Sequence, residues 1–135
     1  MAAKKHEGET FYRISVQEAS GMHSNNDICF VDVRNQDEYE SGHVSGAKLI
    51  PVDDLLGRID ELPTDKKLFF ICAAGVRSGL ACEMAASMGI NPENLYNIEE
   101  GTPTWIENGY TTDCLLYSSD AADERSSVDL GARSI

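Results

Sequence analysis

Leu68-Phe69-Phe70-Ile71-Cys72-Ala73-Ala74-Gly75-Val76-Arg77-Ser78 is the stretch around which this chain is organised. Four apolar residues end at a cysteine, three small residues follow, and an arginine and a serine come soon after. A short apolar run bounded by small residues reads as a strand buried in a sheet. Gly79 to Met88 carries helical spacing, so a helix starts just past the loop. The strand thus delivers one thiol to the rim of a sheet, and the amides of the loop and helix face it. A helix N-terminus and a concave nest of backbone N–H groups both attract negative charge. A thiol so placed ionises more readily than a free cysteine and acts as a nucleophile. The expectation is a cysteine enzyme.

Working outward, Ile28-Cys29-Phe30-Val31-Asp32-Val33 is a second nearly continuous apolar run, the pattern of a strand in a sheet covered on both faces. Cys29 in it reads as a small core residue. Phe11–Ile14 reads as a short strand, followed by Ser15 and Glu18 in capping-box spacing for a short helix. Asn25-Asn26-Asp27 signals a turn, and Asp37 to Tyr39 a brief helical turn. Ala47–Ile50 is a strand stopped by Pro51. Asp53 or Asp54 is then expected to cap a helix with Leu55, Leu56, Ile59 and Leu62 on one side, closed by Pro63.

Beyond the cysteine loop, Leu80, Ala81, Met84, Ala85 and Met88 form an expected core stripe, with Gly89 as the C-terminal stop. Asn94–Ile98 reads as the last strand, and Gly101–Ile106 begins a final helix that ends near Asn108-Gly109. Strands alternating with helices predict an α/β fold, a doubly wound and mainly parallel five-stranded sheet with helices on both faces. Ligands of such sheets sit outside the carboxyl ends of the strands, where Cys72 falls.

The 135 residues predict one folded domain over residues 10–112, a flexible N-terminus over 1–9 and a mobile, acidic, Ser-rich tail over 113–135. In that tail, Leu115-Leu116-Tyr117 is the segment able to dock back on the domain. The net charge is −12, distributed along the whole chain. Such a surface disfavours nonspecific nucleic-acid binding and attraction to anionic membranes, and it leaves any anionic substrate to be captured locally. No apolar segment follows the first lysines as in a secretory signal, and no run reaches membrane-spanning length. Cys29, Cys72, Cys82 and Cys114 show neither C-x-x-C spacing nor the density of a disulfide scaffold, which points to cytoplasm and reduced thiols. No metal or cofactor is implied.

Three blocks of the chain resemble the rhodanese-like single-domain sulfurtransferases. Asp32-Val33-Arg34, followed by Glu38-Tyr39-Glu40-Ser41-Gly42-His43-Val44-Ser45-Gly46-Ala47, is similar to the family's D-V-R…E-[FY]-x-x-G-H-I-x-G-A segment. The Cys72 loop is the second block. Gly101 to Tyr110, similar to the family's G-G-x-x-x-W…G-Y ending, is the third. The resemblance implies that Cys72 takes the outer sulfur of a donor such as thiosulfate as a persulfide and passes it to a thiol or cyanide. It implies a substrate-binding loop of Ala73, Ala74, Gly75, Val76, Arg77 and Ser78, with Asp32, Arg34 and His43 in structural support. It leaves room for a protein partner in a sulfur relay.

The residues agree with that chemistry. Small side chains at 73–75 let the backbone curl closely, Gly75 accepts a positive φ at little cost, and Arg77 offers a planar fork for an oxyanion. Cys72 to Arg77 is C-x4-R, six residues, as in sulfurtransferase members; phosphatase and arsenate-reductase relatives use seven, which widens the amide ring for a tetrahedral oxyanion. Phosphatase or reductase chemistry is thereby disfavoured. Two departures bear on the donor. Ala73 stands where many members carry a basic or polar residue, and Glu100-Gly101 stands in place of paired glycines. If Glu100 lies near the loop it repels anions, so both changes favour a protein-bound or low-molecular-weight persulfide over thiosulfate.

Cys82, ten residues past Cys72 on the next helix, is not expected to reach it as a resolving thiol. Cys114 is able to reach it from the tail, although an inconsequential surface thiol is the favoured reading. Trp105 is expected to anchor its helix to the core. The competing function of a different class is a noncatalytic rhodanese-like interaction module, against which an intact Cys72 loop argues.

Overall fold

The computed structural model describes residues 10–113. Its framework is a five-stranded sheet in which every pairing is parallel. The strands are β1 (Tyr12–Ile14), β2 (Ile28–Asp32), β4 (Lys48–Leu49), β5 (Lys67–Ile71) and β6 (Leu95–Ile98), in the order β1-β6-β5-β2-β4. The strand that ends at Cys72 is therefore the middle one. It is hydrogen-bonded to β2 with Ile71 opposite Asp32, and to β6 with Ile71 opposite Ile98.

Residues 68–71 are buried because both faces of the sheet are covered. With the two-residue alternation of a strand, Leu68, Phe70 and Cys72 fall in one core cluster and Phe69 and Ile71 in the other. The first cluster packs against helix α3 (Val76–Ser87) through Ala81, Cys82 and Ala85. The second packs against α1 (Val16–Ser20) and α4 (Gly101–Glu107) through Val16, Ala19 and Trp105. Trp105 is fully buried among Phe30, His23 and Tyr110, and its indole N–H donates to the Thr111 carbonyl at 2.9 Å. Burying a ring of that size stabilises by about 5 kcal/mol before ordering costs.

The capping box at α1 forms: Ser15 Oγ accepts from the Glu18 N–H at 3.1 Å, and the Glu18 carboxylate accepts from the Ser15 N–H. Between β2 and β4 lie α2 (Gln36–Ser41) and the two-residue strand β3 (His43–Val44). The segment after Pro51 is two 3-10 turns, Val52–Asp54 and Leu56–Glu61, with neither aspartate capping it. Leu55 and Leu62 are buried there, but Leu56 is 50% exposed. Arg58 breaks the helical geometry between them, at φ −122°. In α3 the buried stripe runs through Ser78, Ala81, Cys82 and Ala85, one step round from the expected one, and Leu80 and Met88 are half exposed. That helix begins at Val76, so Arg77 and Ser78 lie in its first turn.

Asn94–Ile98 is not the last strand. Thr112–Asp113 forms β7, antiparallel to β3, with His43 opposite Asp113 and Val44 opposite Thr112. The N-terminal residues 1–9, Cys114 and the Leu115–Tyr117 segment lie outside the described residues. Among the described residues no helix is long and apolar enough to cross a membrane.

Candidate active site

Cys72 leaves the carboxyl end of the central strand with its side chain turned to the α3 face, where it is 1% exposed. Its sulfur accepts a hydrogen bond from the Gly75 N–H at 3.1 Å and lies 3.3 Å from Ser78 Oγ. Burial pushes the thiol pKa up, but the Ser78 hydroxyl and the N–H groups of Ser78, Ala74 and Gly75 outweigh it and hold the group below its ordinary value. The 12-residue helix α3 begins at the next turn and adds its positive end. Cys72 is thus a thiol poised to ionise. Cys29 is the contrast, since burial pushes its thiol upward. Cys82, on the buried face of α3, is a fully buried thiol in no disulfide.

The loop is held from outside as well as from within. Gly75 takes φ +88°, and a Cβ there would overlap the Glu99 carbonyl. Gly101 takes φ +82°, and a Cβ there would overlap the carbonyls of Ala73 and Cys72. Thr102 donates its N–H to the Cys72 carbonyl at 2.8 Å, and its hydroxyl lies 3.3 Å from the same oxygen. Position 101 therefore has no room for a side chain, because backbone carbonyls occupy its space. Glu100 turns its carboxylate onto the Val16 N–H at 2.8 Å, at the start of α1, so it belongs to that contact and not to the loop as expected.

Arg77 does not present a free fork to the loop. It donates two hydrogen bonds to Glu38, at 2.9 and 3.1 Å, and Glu38 also accepts the Asn35 N–H that caps α2. The Arg77 guanidinium holds the Glu38 carboxyl down to about 2. Ala73 supplies no charge, so the one cation of the loop, Arg77, is already paired.

Asp32 and Arg34 are buried and joined by hydrogen bonds of 2.8–3.1 Å, with the Arg34 N–H also on the carboxylate at 3.0 Å. Arg34 reaches on to the Gly42 carbonyl at 2.7 Å. His43 is 3% exposed, stacks on the Tyr39 ring at 3.6 Å and bonds through Nδ1 to the Tyr39 carbonyl. These three residues fasten β2, α2 and β3 to one another, and none of these contacts involves the sulfur. Among the described residues, no group of three His, Cys, Asp or Glu side chains is placed to hold a metal ion.

Three residues at this site escaped the sequence reading. Glu38 lies 39 positions from its partner, and only its place in the E-Y-x-x-G-H block marks it. Thr102 opens α4 without a motif of its own. Asn97 carries a readable signal: it is a polar residue inside the otherwise apolar strand Leu95–Ile98, and buried polar groups have partners. Its Nδ2 donates to the Gly75 carbonyl and its Oδ1 accepts from Ser78.

A cleft of ≈ 460 Å³ borders the loop, lined by Phe11, Arg13, Ala74, Gly75, Val76 and Leu80 among others. Val76 at its edge is 77% exposed.

A strand-end cysteine ringed by amides at the middle of a five-stranded parallel sheet defines a class as well as a site. The chain belongs to the rhodanese-like domain family, whose model matches residues 15–108. It is 37% identical over 75 residues to the uncharacterised protein YqhL of Bacillus subtilis (strain 168), covering 56% of this chain and 58% of that one. It is 24% identical over 98 residues to the thiosulfate sulfurtransferase GlpE of Shewanella oneidensis, covering 73% of this chain and 95% of that protein. A rhodanese-related protein from Thermoplasma volcanium has a crystal structure similar to this fold, with a TM-score of 0.66 and 30% identity over 75% of this chain and 96% of that one. The chain spans 26% and 30% of the length of two bacterial tRNA uridine(34) hydroxylases that it also matches. This is a rhodanese-like domain with relatives among the sulfurtransferases.

Proposed function

We propose that this protein is a sulfurtransferase that carries a sulfane sulfur as a persulfide on Cys72. The observation that supports this reading is the enclosure of the Cys72 sulfur by a six-residue loop whose Gly75 N–H lies 3.1 Å from it, with α3 behind. Such a ring stabilises one negative sulfur atom, whether thiolate or persulfide. A thiol only 1% exposed meets a donor at the donor's tip, which suits a terminal sulfane sulfur.

In the first half-reaction the Cys72 thiolate attacks the outer sulfur of the donor. The donor's S–S bond breaks, and the departing sulfite or thiolate leaves with the electron pair. In the second, an acceptor thiolate or cyanide attacks the outer sulfur of the persulfide, the bond to Cys72 breaks, and the thiolate is regenerated. Nothing is oxidised or reduced overall, and ping-pong kinetics follow.

Thiosulfate is the weaker donor in this reading, and a low-molecular-weight or protein-bound persulfide is the stronger one. Arg77 is engaged by Glu38 and Ala73 is apolar, so no unpaired cation of the loop awaits a sulfonate. An acceptor protein in a sulfur relay and a compartment of reduced thiols, the cytoplasm, fit the same chemistry. The test is the intact mass of the reduced protein after incubation with thiosulfate and, separately, with a small alkyl persulfide. A gain of one sulfur atom that vanishes in Cys72→Ser is expected; no adduct with either donor overturns the reading. Ala73→Arg should raise kcat/KM for thiosulfate, and no improvement would count against the donor preference.

A further inference from the structure

Ser78 touches two groups that compete for its single hydroxyl proton. Its Oγ lies 2.5 Å from Oδ1 of Asn97 and 3.3 Å from Sγ of Cys72. Asn97, on the central-sheet strand β6, is 3% exposed, and its neighbours dictate which way its amide faces. Nδ2 lies 3.1 Å from the Gly75 carbonyl oxygen. A carbonyl only accepts, so the NH2 end of Asn97 must face Gly75 and the oxygen must face Ser78. That amide oxygen also only accepts. The Ser78 proton therefore points at Asn97, in the shorter of its two contacts, and Ser78 turns a lone pair toward the sulfur. A lone pair suits the S–H of a neutral thiol, so the Ser78 hydroxyl favours the thiolate only once its O–H has turned from Asn97 onto the sulfur.

We propose that Asn97 is a positioning residue which, through Ser78, controls the proton on Cys72. In the resting loop it favours the neutral thiol, with the S–H donating to Ser78 Oγ. Ionisation sends the thiol proton to solvent and lets the Ser78 O–H rotate from Asn97 onto the sulfur, while the Gly75 N–H stays in place. The hydroxyl's share in stabilising the thiolate is thus gained only when the Ser78–Asn97 bond is given up. A thiol held this way resists stray oxidation while idle, because susceptibility follows thiolate character. The inference rests on Cys72 being the reactive group of the proposed function, but on no particular donor or acceptor.

The charged groups around the loop are Arg77 and Glu83 on α3, Glu38 on α2, Asp32 at the end of β2, and Arg13 and Glu99, which line the bordering cleft. Arg77 pairs with Glu38 and Asp32 with Arg34. Glu99 and Glu100, past the end of β6, contact Arg13 and the Val16 N–H. Substitutions at 78 and 97 leave all of these contacts in place.

The test is a spectroscopic titration of the Cys72 thiolate in the full chain, with the Cys72→Ser protein subtracted to remove the other thiols. It needs no sulfur donor, so its failure is distinct from failure of the sulfurtransferase reading. Asn97→Ala should lower the Cys72 pKa by about one unit, the scale of one hydrogen bond gained by the thiolate. Ser78→Ala should raise it, and adding Asn97→Ala to Ser78→Ala should change nothing further. A pKa that does not fall in Asn97→Ala, or that falls equally without Ser78, would overturn the proposal. If the alanine variant does not fold, Asn97→Leu is near-isosteric, lacks the acceptor and carries the same expectation.

Discussion

The two terminal nitrogens of Arg77 lie on the two oxygens of Glu38, at 2.9 and 3.1 Å, tying the first turn of α3 to the first turn of α2. Arginine at a helix N-terminus opposes the helix dipole, and a carboxylate in bidentate contact offsets that cost. The pair also decides what the loop offers a substrate. The guanidinium of the loop itself is neutralised before any donor arrives.

Glu38→Gln should weaken the hold on Arg77 without undoing α2, because glutamine keeps the oxygen that accepts the Asn35 N–H but loses the charge and the second acceptor. Partly exposed pairs contribute up to about 1 kcal/mol, so the KM for thiosulfate should fall about three- to fivefold. The KM for a small alkyl persulfide, which carries no sulfonate for Arg77 to grip, should not move. Steady-state kinetics with the two donors check this, and an unchanged thiosulfate KM would show that Glu38 does not restrain Arg77.

The same pair makes a pH-dependent contribution to stability. Glu38 is lowered from 4.5 to about 2 in the folded protein, so its stabilising effect is complete above the unfolded value and is lost as pH falls through the folded one. Thermal midpoints of the wild type and Glu38→Gln should differ by a constant amount above about pH 5 and converge between 4.5 and about 2. A gap that widens toward acid would contradict the pairing.

Asp32→Ala should be the costliest single change in the support around the site. It leaves Arg34, 5% exposed, as a buried charge without its carboxylate. Removing one partner of a buried pair costs about 3–5 kcal/mol, which urea denaturation of the two proteins measures directly. A loss below about 1 kcal/mol would mean that solvent reaches Arg34 after all.

Gly101→Ala and Gly75→Ala should disable Cys72, because each added methyl group meets a backbone carbonyl of the loop or of the turn behind it. Gly46→Ala is the control: its φ is also +82°, but nothing lies within 4 Å of the added carbon. That substitution should cost about 1 kcal/mol of stability and leave persulfide formation intact. Loading of one sulfur atom, followed by mass, should drop more than tenfold in the first two variants only. Equal loading in Gly101→Ala would show that the loop yields easily.

Much of this was legible because it rests on local patterns. The apolar run 68–71 and the run 28–33 demanded a sheet covered on both faces, and α1 and α4 on one side with α3 on the other supply the covers. Ser15 and Glu18 announced their helix, since a capping box needs only its own four residues. The segment after Pro51 misled because its leucines fit a helical stripe, while burial there is met by Leu55 and Leu62 from two tight turns. In α3 the stripe is shifted because Ser78 is recruited inward by Asn97, an interaction between residues 19 positions apart. The partners of Arg77 and Glu100 were unreadable for the same reason. A charged side chain's partner depends on tertiary neighbours, which composition and spacing do not encode.

Gly101 lies with its α-carbon against the carbonyl of Ala73, and Gly75 lies in the same way against Glu99. The turn between β6 and α4 is thus a backstop that sets the loop's circumference from outside. An insertion that widens the ring on the side of Ala73 or Gly75 runs into residues 99–101 unless these are first displaced. Conversion of this sulfur-sized ring into one that grips a tetrahedral anion therefore takes at least two coordinated changes, one in the loop and one in the turn behind it. A single-residue insertion should give a misfolded loop, not a new activity.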